Sequence, residues 1–127
     1  MTKTKEVHSD QAPTPAGPYS QAMAAGQLVF VSGQRPVDPV TGALAVGVEA
    51  QSEQVLKNVA AILEAAGSSM GDVVKVTAHL ADLGDFAIFN DVYTRYFSPP
   101  FPARTTVGSQ LRGILVEVDV IAVKGGA

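Results

Sequence analysis

Between Val48 and Ala66 the apolar residues Val48, Val55, Val59, Ile62 and Ala66 recur at spacings of seven, four, three and four, and Leu56 and Leu63 widen the stripe. That is the period of an α-helix with one apolar face. Gly67 follows directly and supplies the left-handed position at which such helices end. A helix of this kind is stabilised mainly by what its apolar face covers, so the rest of the chain must provide a matching surface. It does so as strands. "VVKVTAHLA" (73–81) alternates Val74, Val76, Ala78 and Leu80 with Lys75, Thr77 and His79, and "LVFVSG" (28–33) is short, β-branched and closed by glycine. Both read as half-buried or buried strands.

The remaining segments extend this pattern. "KTKEVH" (3–8) alternates weakly and suits a short first strand. "QAPTPAGPYS" reads as an irregular loop, and "DPVTG" (38–42) as a β-turn. A second helix is predicted from an N-cap at Asp85, carrying Phe86, Phe89, Tyr93, Tyr96 and Phe97 at helical spacing, until Pro99 and Pro100 stop it. Two strands, "ARTTVGS" and "ILVEVDVIAV", follow with a short connection from Gln110 to Gly113. Strands, helix, strand, helix and strands pack most economically as an α+β domain, with both helices on one face of a mixed sheet. The 127 residues suit one domain over 1–127, with no linker or repeat to divide them.

Composition removes several function classes. The formal net charge is −3 and the pI near 5.2, and the nine Lys and Arg are scattered, so no basic field favours nucleic acid. There are no cysteines, which excludes disulfides, thiolate metal sites and a cysteine nucleophile. The N-terminal "MTKTKEVHSDQ" lacks the apolar core of a signal peptide, and no apolar run approaches a membrane span; a cytoplasmic protein is expected. His8 and His79 have no ligand spacing around them, so no metal site is expected, and no glycine-rich phosphate fingerprint is present.

"PPFPARTTVG" (99–108) forces an extended backbone just before a single cation. In a strand Arg104, Thr106 and Gly108 share one face, and a guanidinium beside a hydroxyl and a glycine suits capture of a carboxylate. The same local pattern also suits a plain exposed arginine on an edge strand. Glu117 and Asp119 share a face of the last strand; Asp119 reads as solvated, whereas Glu117 lies deep in an apolar run and calls for a partner. Tyr19, Ser20, Ser32 and Gln34 offer hydroxyls and an amide, with Gly17 and Gly33 leaving room for close approach; ordinary turn chemistry accounts for these equally well.

Taken together, "AGPYSQA", "VFVSGQ", "DPVTG", "QVLKNVAAILEAAG", "VVKVTAHLADLGDF", "FNDVYTRYF", "PPFPAR" and "LVEVDVIA" resemble the Rid (YjgF-type) family of reactive-intermediate deaminases, over nearly the whole chain. The resemblance implies a chorismate-mutase-like α+β fold assembled as a homotrimer with a pocket at each subunit interface. It implies hydrolysis of enamines and imines to 2-oxo acids and ammonia, without a cofactor or metal. It implies that Arg104 binds the substrate carboxylate, that Glu117 stands near the attacking water, and that Tyr19, Ser32, Gly33 and Asn90 line the pocket, with Thr106 beside Arg104. The chain departs from the family in carrying Thr106 where many members have cysteine, in a shorter stretch from Arg104 to Glu117, and in "LR" at Leu111 and Arg112 instead of "LP". A non-catalytic, ligand-binding or chaperone-like trimer is the rival expectation; retention of Arg104 favours the enzyme. The acidic balance counts against a ribonuclease.

Overall fold

The computed structural model describes residues 3–125. Strands β1 (Thr4–Val7), β2 (Ala22–Ala25) and β3 (Leu28–Gln34) precede helix α1 (Val48–Ala65); β4 (Val73–Leu80), helix α2 (Phe86–Tyr93), β5 (Ala103–Gly108) and β6 (Val116–Val123) complete the order. The six strands form one sheet in the order β1-β2-β3-β6-β4-β5. Only β4 and β5 pair in parallel; the other neighbours are antiparallel. Parallel strands need a crossover, and α2 supplies it. Because β6 runs antiparallel to both β3 and β4, those two strands are also parallel, and α1 is their crossover. Both crossovers step the same way across the sheet, so a common handedness puts both helices on one face.

That face is the core. Val29 and Val31 of β3, Val76, Ala78 and Leu80 of β4, and Val116, Val118, Val120 and Ala122 of β6 are buried against Val55, Leu56, Val59, Ile62 and Leu63 of α1 and Phe89 and Val92 of α2. The alternation read along β4 and β6 is therefore the alternation between core and open face. Helix α1 ends as its sequence predicts: Gly67 has φ +76, its N–H donates to Glu64 O at 3.0 Å, and Ser68 N donates to Leu63 O at 2.8 Å. These two bonds satisfy carbonyls that the last turn would leave orphaned.

The second helix is shorter than the aromatic spacing predicts. It stops at Tyr93, after which Arg95 N bonds Val92 O and Tyr96 N bonds Tyr93 O in tighter turns. Asp85 occupies the N-cap position but makes no capping bond. Asp82 does the capping instead, accepting from Gly84 N at 2.8 Å at the start of the short 3₁₀ turn Leu83–Asp85. Strand β2, "AMAA", has no β-branched residue to announce it. It exists because Gly26, at φ +59, forms with Gln27 the two-residue turn of a hairpin onto β3. The last strand begins at Val116, two residues later than its apolar run suggests, because Ile114 and Leu115 lie in the connection, where Leu115 N donates to Gln51 Oε1 at 2.7 Å.

Candidate functional site

The residues singled out by the sequence fall into two groups, and the sheet separates them. Arg104 lies beside Val76 in the β4–β5 register and Thr106 beside Ala78. Since Val76 and Ala78 are core residues, Arg104 and Thr106 are on the helix face. Glu117 lies beside His79, on the opposite face.

On the helix face, the Arg104 guanidinium stands over three rings of α2: its carbon is 4.6 Å from the Tyr93 centroid, 5.5 Å from Phe86 and 5.6 Å from Phe89. Aromatic faces attract a cation, and the helical spacing of these residues is what brings them to one spot. Asn90, one turn before Thr94, accepts one guanidinium N–H on Oδ1 at 2.7 Å, which sets the plane of the fork. Arg104, Asn90 and Tyr93 then line an open cleft of about 280 Å³ with Phe101 and Pro102. Two residues of the stretch that stiffens the approach to Arg104 thus form a wall of its cleft. Thr106 shares the face but does not reach this cleft. The Tyr93 hydroxyl is buried, makes no hydrogen bond of good geometry, and has the Arg104 guanidinium as its polar neighbour. Burial pushes its pKa above the usual phenol value, and the Arg104 charge and its hydrogen-bonding contact with the hydroxyl partly oppose the shift.

On the open face, Glu117 lies directly over the backbone of Gly33. A Cβ at position 33 would stand 2.6 Å from Glu117 Oε2 and 2.9 Å from Cδ, so glycine is required by the carboxylate's position, not by a positive φ. The Glu117 carboxylate is half-buried and makes no hydrogen bond among the described residues. It lines a second open cleft, of about 630 Å³, together with Tyr19. Ser32 is a tether for this side: its Oγ donates to Ser20 O at 2.7 Å and its N–H to Gln21 O at 2.9 Å, fixing the loop that carries Tyr19 against β3. Tyr19 Oη accepts from Ala16 N at 3.1 Å within that loop.

Sequence reasoning missed the residue that organises the loop. Gln21 is buried; its amide donates to Ser9 O, Ala12 O and Pro13 O and its Oε1 accepts from Ser9 N at 2.7 Å. A glutamine followed by small apolar residues carries no periodic signal, so only the three-proline loop before it hinted that something must pin it. Asp119 is not simply solvated: its Oδ2 is 3.2 Å from His79 Nε2, whose Nδ1 is 2.9 Å from Ser109 Oγ. Among the described residues no three His, Asp or Glu side chains converge as metal ligands, and no helix is long and apolar enough to cross a membrane.

The chain and its fold have counterparts in known proteins. The family model described as endoribonuclease L-PSP matches residues 9–124. A RutC family protein of Pyrococcus horikoshii is 49% identical over 121 residues, which cover 93% of this chain and 96% of that protein. The 2-iminobutanoate/2-iminopropanoate deaminase of Salmonella typhimurium is 44% identical over 126 residues, 95% of this chain and 98% of that protein. The crystal structure of RidA from an Antarctic Psychrobacter superimposes with a TM-score of 0.91 at 44% identity, over 94% of this chain and 98% of that one. The architecture is thus the mixed α+β fold of Rid structures. The chain belongs to the YjgF/Rid family.

Proposed function

We propose that this protein hydrolyses 2-imino acids and their enamine tautomers to 2-oxo acids and ammonia, in a homotrimer whose sites lie between neighbouring chains. The observation that carries the reading is Arg104: one guanidinium N–H is taken by Asn90 at 2.7 Å while the group rests on three rings at the edge of an open cleft. Its remaining fork suits a carboxylate, bound in two parallel hydrogen bonds. Once the carboxylate is held, the adjacent C=N carbon is oriented, and orientation alone removes a large part of a barrier. Support for the substrate comes from the 44% identical Salmonella typhimurium relative named 2-iminobutanoate/2-iminopropanoate deaminase.

Glu117 is the base in this scheme. Its carboxylate holds a water, takes one proton as the water oxygen bonds to C2 and passes it to the imine nitrogen. It then carries the remaining hydroxyl proton to that nitrogen as the C–N bond breaks, so that the 2-oxo group forms and ammonia leaves. Water is consumed, nothing is oxidised, and no cofactor is required. Arg104 and Glu117 are on opposite faces of one sheet, so each site takes Arg104 from one chain and Glu117 from the next. The uncovered sheet face, with Met23, Leu28 and Phe30 about 40% exposed, is the surface on which copies would meet. The net charge of −3 disfavours the polyanionic substrate suggested by the family model's description.

The test is to generate imines with an amino-acid oxidase, let a trapping amine compete for them, and compare wild type with Arg104→Ala and Glu117→Gln. Each variant alone should lose activity. Mixed in equal amounts and reassembled at random, the two should recover about one quarter of wild-type activity, the chance that a neighbouring pair supplies both intact groups. No consumption of any imine by the wild type overturns the activity; two inactive variants that do not complement overturn the shared site.

A further inference from the structure

The chain has four arginines, and two have protein partners. Arg95 joins α1 to α2 through Asp91 at 2.8 Å, Glu49 at 3.0 Å and Glu53 at 3.4 Å, and Arg104 is bound to Asn90. The other two, Arg35 and Arg112, make no side-chain hydrogen bond or ion pair among the described residues. Both line the same cleft, the one that holds Tyr19 and Glu117, and Gln110 adds an amide beside them. They arrive there from distant parts of the chain, and both attachment points are held. The Arg35 carbonyl accepts from the buried Asn58 Nδ2 of α1 at 3.0 Å, as does that of Val37. Arg112 stands before Gly113, at φ +76, in the connection that Gln51 fixes through Leu115 N.

We propose that Arg35 and Arg112 form a second anion subsite, and that the substrate is a 2-imino acid whose side chain ends in a carboxylate: a 2-imino dicarboxylate. This rests on the deaminase reading above and deepens it. Arg104 of one chain takes the α-carboxylate. C2 then sits against the water on Glu117 of the next, and the side chain runs on into the Tyr19 cleft. An aliphatic side chain would leave two guanidinium groups sharing the cleft with Glu117 alone, with an excess of one positive charge. A terminal carboxylate cancels that excess and finds the planar donor forks that suit it. The hydrolysis is unchanged in its atoms: the C=N bond and one water become a 2-oxo dicarboxylate and ammonia.

The experiment is titration of the wild-type protein with two stable product analogues of equal chain length, 2-oxoglutarate and 2-oxopentanoate, alongside turnover of the corresponding imines. 2-Oxoglutarate should bind roughly tenfold or more tightly, the gain expected of a charge-assisted pair at a partly open site, and the preference should shrink as salt rises. In Arg35→Ala/Arg112→Ala the ratio should fall to near one; Arg35→Lys should keep part of it. Equal binding of the two acids by wild type overturns the subsite, as does a preference that survives the double variant. Turnover of both imines with no preference leaves the deaminase standing and removes this inference. Arginine-dependent preference for 2-oxoglutarate without turnover of either imine does the opposite.

Discussion

Replacing Gly33 by alanine isolates the position of the Glu117 carboxylate from its presence. The backbone at Gly33 lies outside the positive-φ region, so alanine itself is tolerated. Its Cβ, however, would stand 2.6 Å from Glu117 Oε2, 2.9 Å from Cδ and 3.2 Å from Cγ. An ordinary C···O contact is about 3.3–3.6 Å, so the carboxylate must retreat by about 0.7–1.0 Å from its 2.6 Å position. It can do so, because it is the half-exposed end of a flexible side chain; the stability cost should stay below about 1 kcal/mol. Activity should suffer more. Misplacing a reacting group by about 1 Å costs on the order of a hundredfold, so Gly33→Ala should lose roughly tenfold to a hundredfold in kcat/KM. The imine-trapping assay measures this and a thermal melt provides the control. Retention of full activity by Gly33→Ala, with Glu117→Gln inactive, would refute the idea that the carboxylate must sit over residue 33. A melting temperature lowered by more than about 8 °C, beyond what about 1 kcal/mol explains, would refute the claim that the side chain, not the backbone, gives way.

Asn90→Ala removes the hydrogen bond that sets the Arg104 plane; KM should rise about tenfold with kcat little changed, and a fall in kcat at constant KM would contradict a positioning role. Tyr93→Phe deletes a buried hydroxyl whose polar neighbour is the Arg104 guanidinium, so the loss of that contact and the relief of burial should nearly cancel, within about 1 kcal/mol in urea unfolding. The Tyr93 pKa lies above the ordinary value of 10.0, so the unfolded chain ionises first and stability should fall as pH rises past about 10; in Tyr93→Phe that alkaline loss should be smaller. Gln21→Leu strips the loop before β2 of four hydrogen bonds and should destabilise by about 2–4 kcal/mol, read as a lower denaturant midpoint. Phe30→Asp puts a charge on the uncovered sheet face and should shift the assembly to smaller species in size-exclusion chromatography; an unchanged elution volume would deny that face a role in assembly.

What was legible in the sequence was what repeats. The apolar stripe of α1 and the alternation of β4 and β6 each record one buried face, and a helix or strand with one buried face leaves a periodic trace. Gly67 was legible because a left-handed residue after such a stripe has few other uses. The extent of α2 was not, because Tyr96 and Phe97 keep helical spacing while Arg95 and Tyr96 already bond three residues back; side-chain spacing does not distinguish four-residue from three-residue bonding over one turn. Strand β2 and Gln21 left no trace at all. The first is held by a hairpin partner, the second by backbone carbonyls of an irregular loop, and neither kind of bond depends on a pattern of apolar residues. Arg104 and Glu117 were both identified, but as members of one site, since strand alternation fixes a residue's face only relative to its own strand.

The register supplies the missing link, and its consequence needs no side-chain conformation. Arg104 is level with Val76 and Glu117 with His79 on the same strand, β4, and the only register shift between β4 and β6 lies earlier, between Val73 and Lys75. Positions 76 and 79 are an odd number of residues apart, so they face opposite ways, and so do Arg104 and Glu117. A hydrolysis that needs both groups at one carbon therefore cannot run within one chain. Nor does a two-fold dimer serve well, because each chain would have to meet the same partner on both faces of its sheet. A head-to-tail ring has no such difficulty: every chain offers the Arg104 side to one neighbour and the Glu117 side to the other, and closure leaves neither half unused. The proposed trimer is a small ring of that kind, and it would have the exposed Met23, Leu28 and Phe30 to bury. The geometry of the chemistry and the exposed apolar face thus ask for the same assembly.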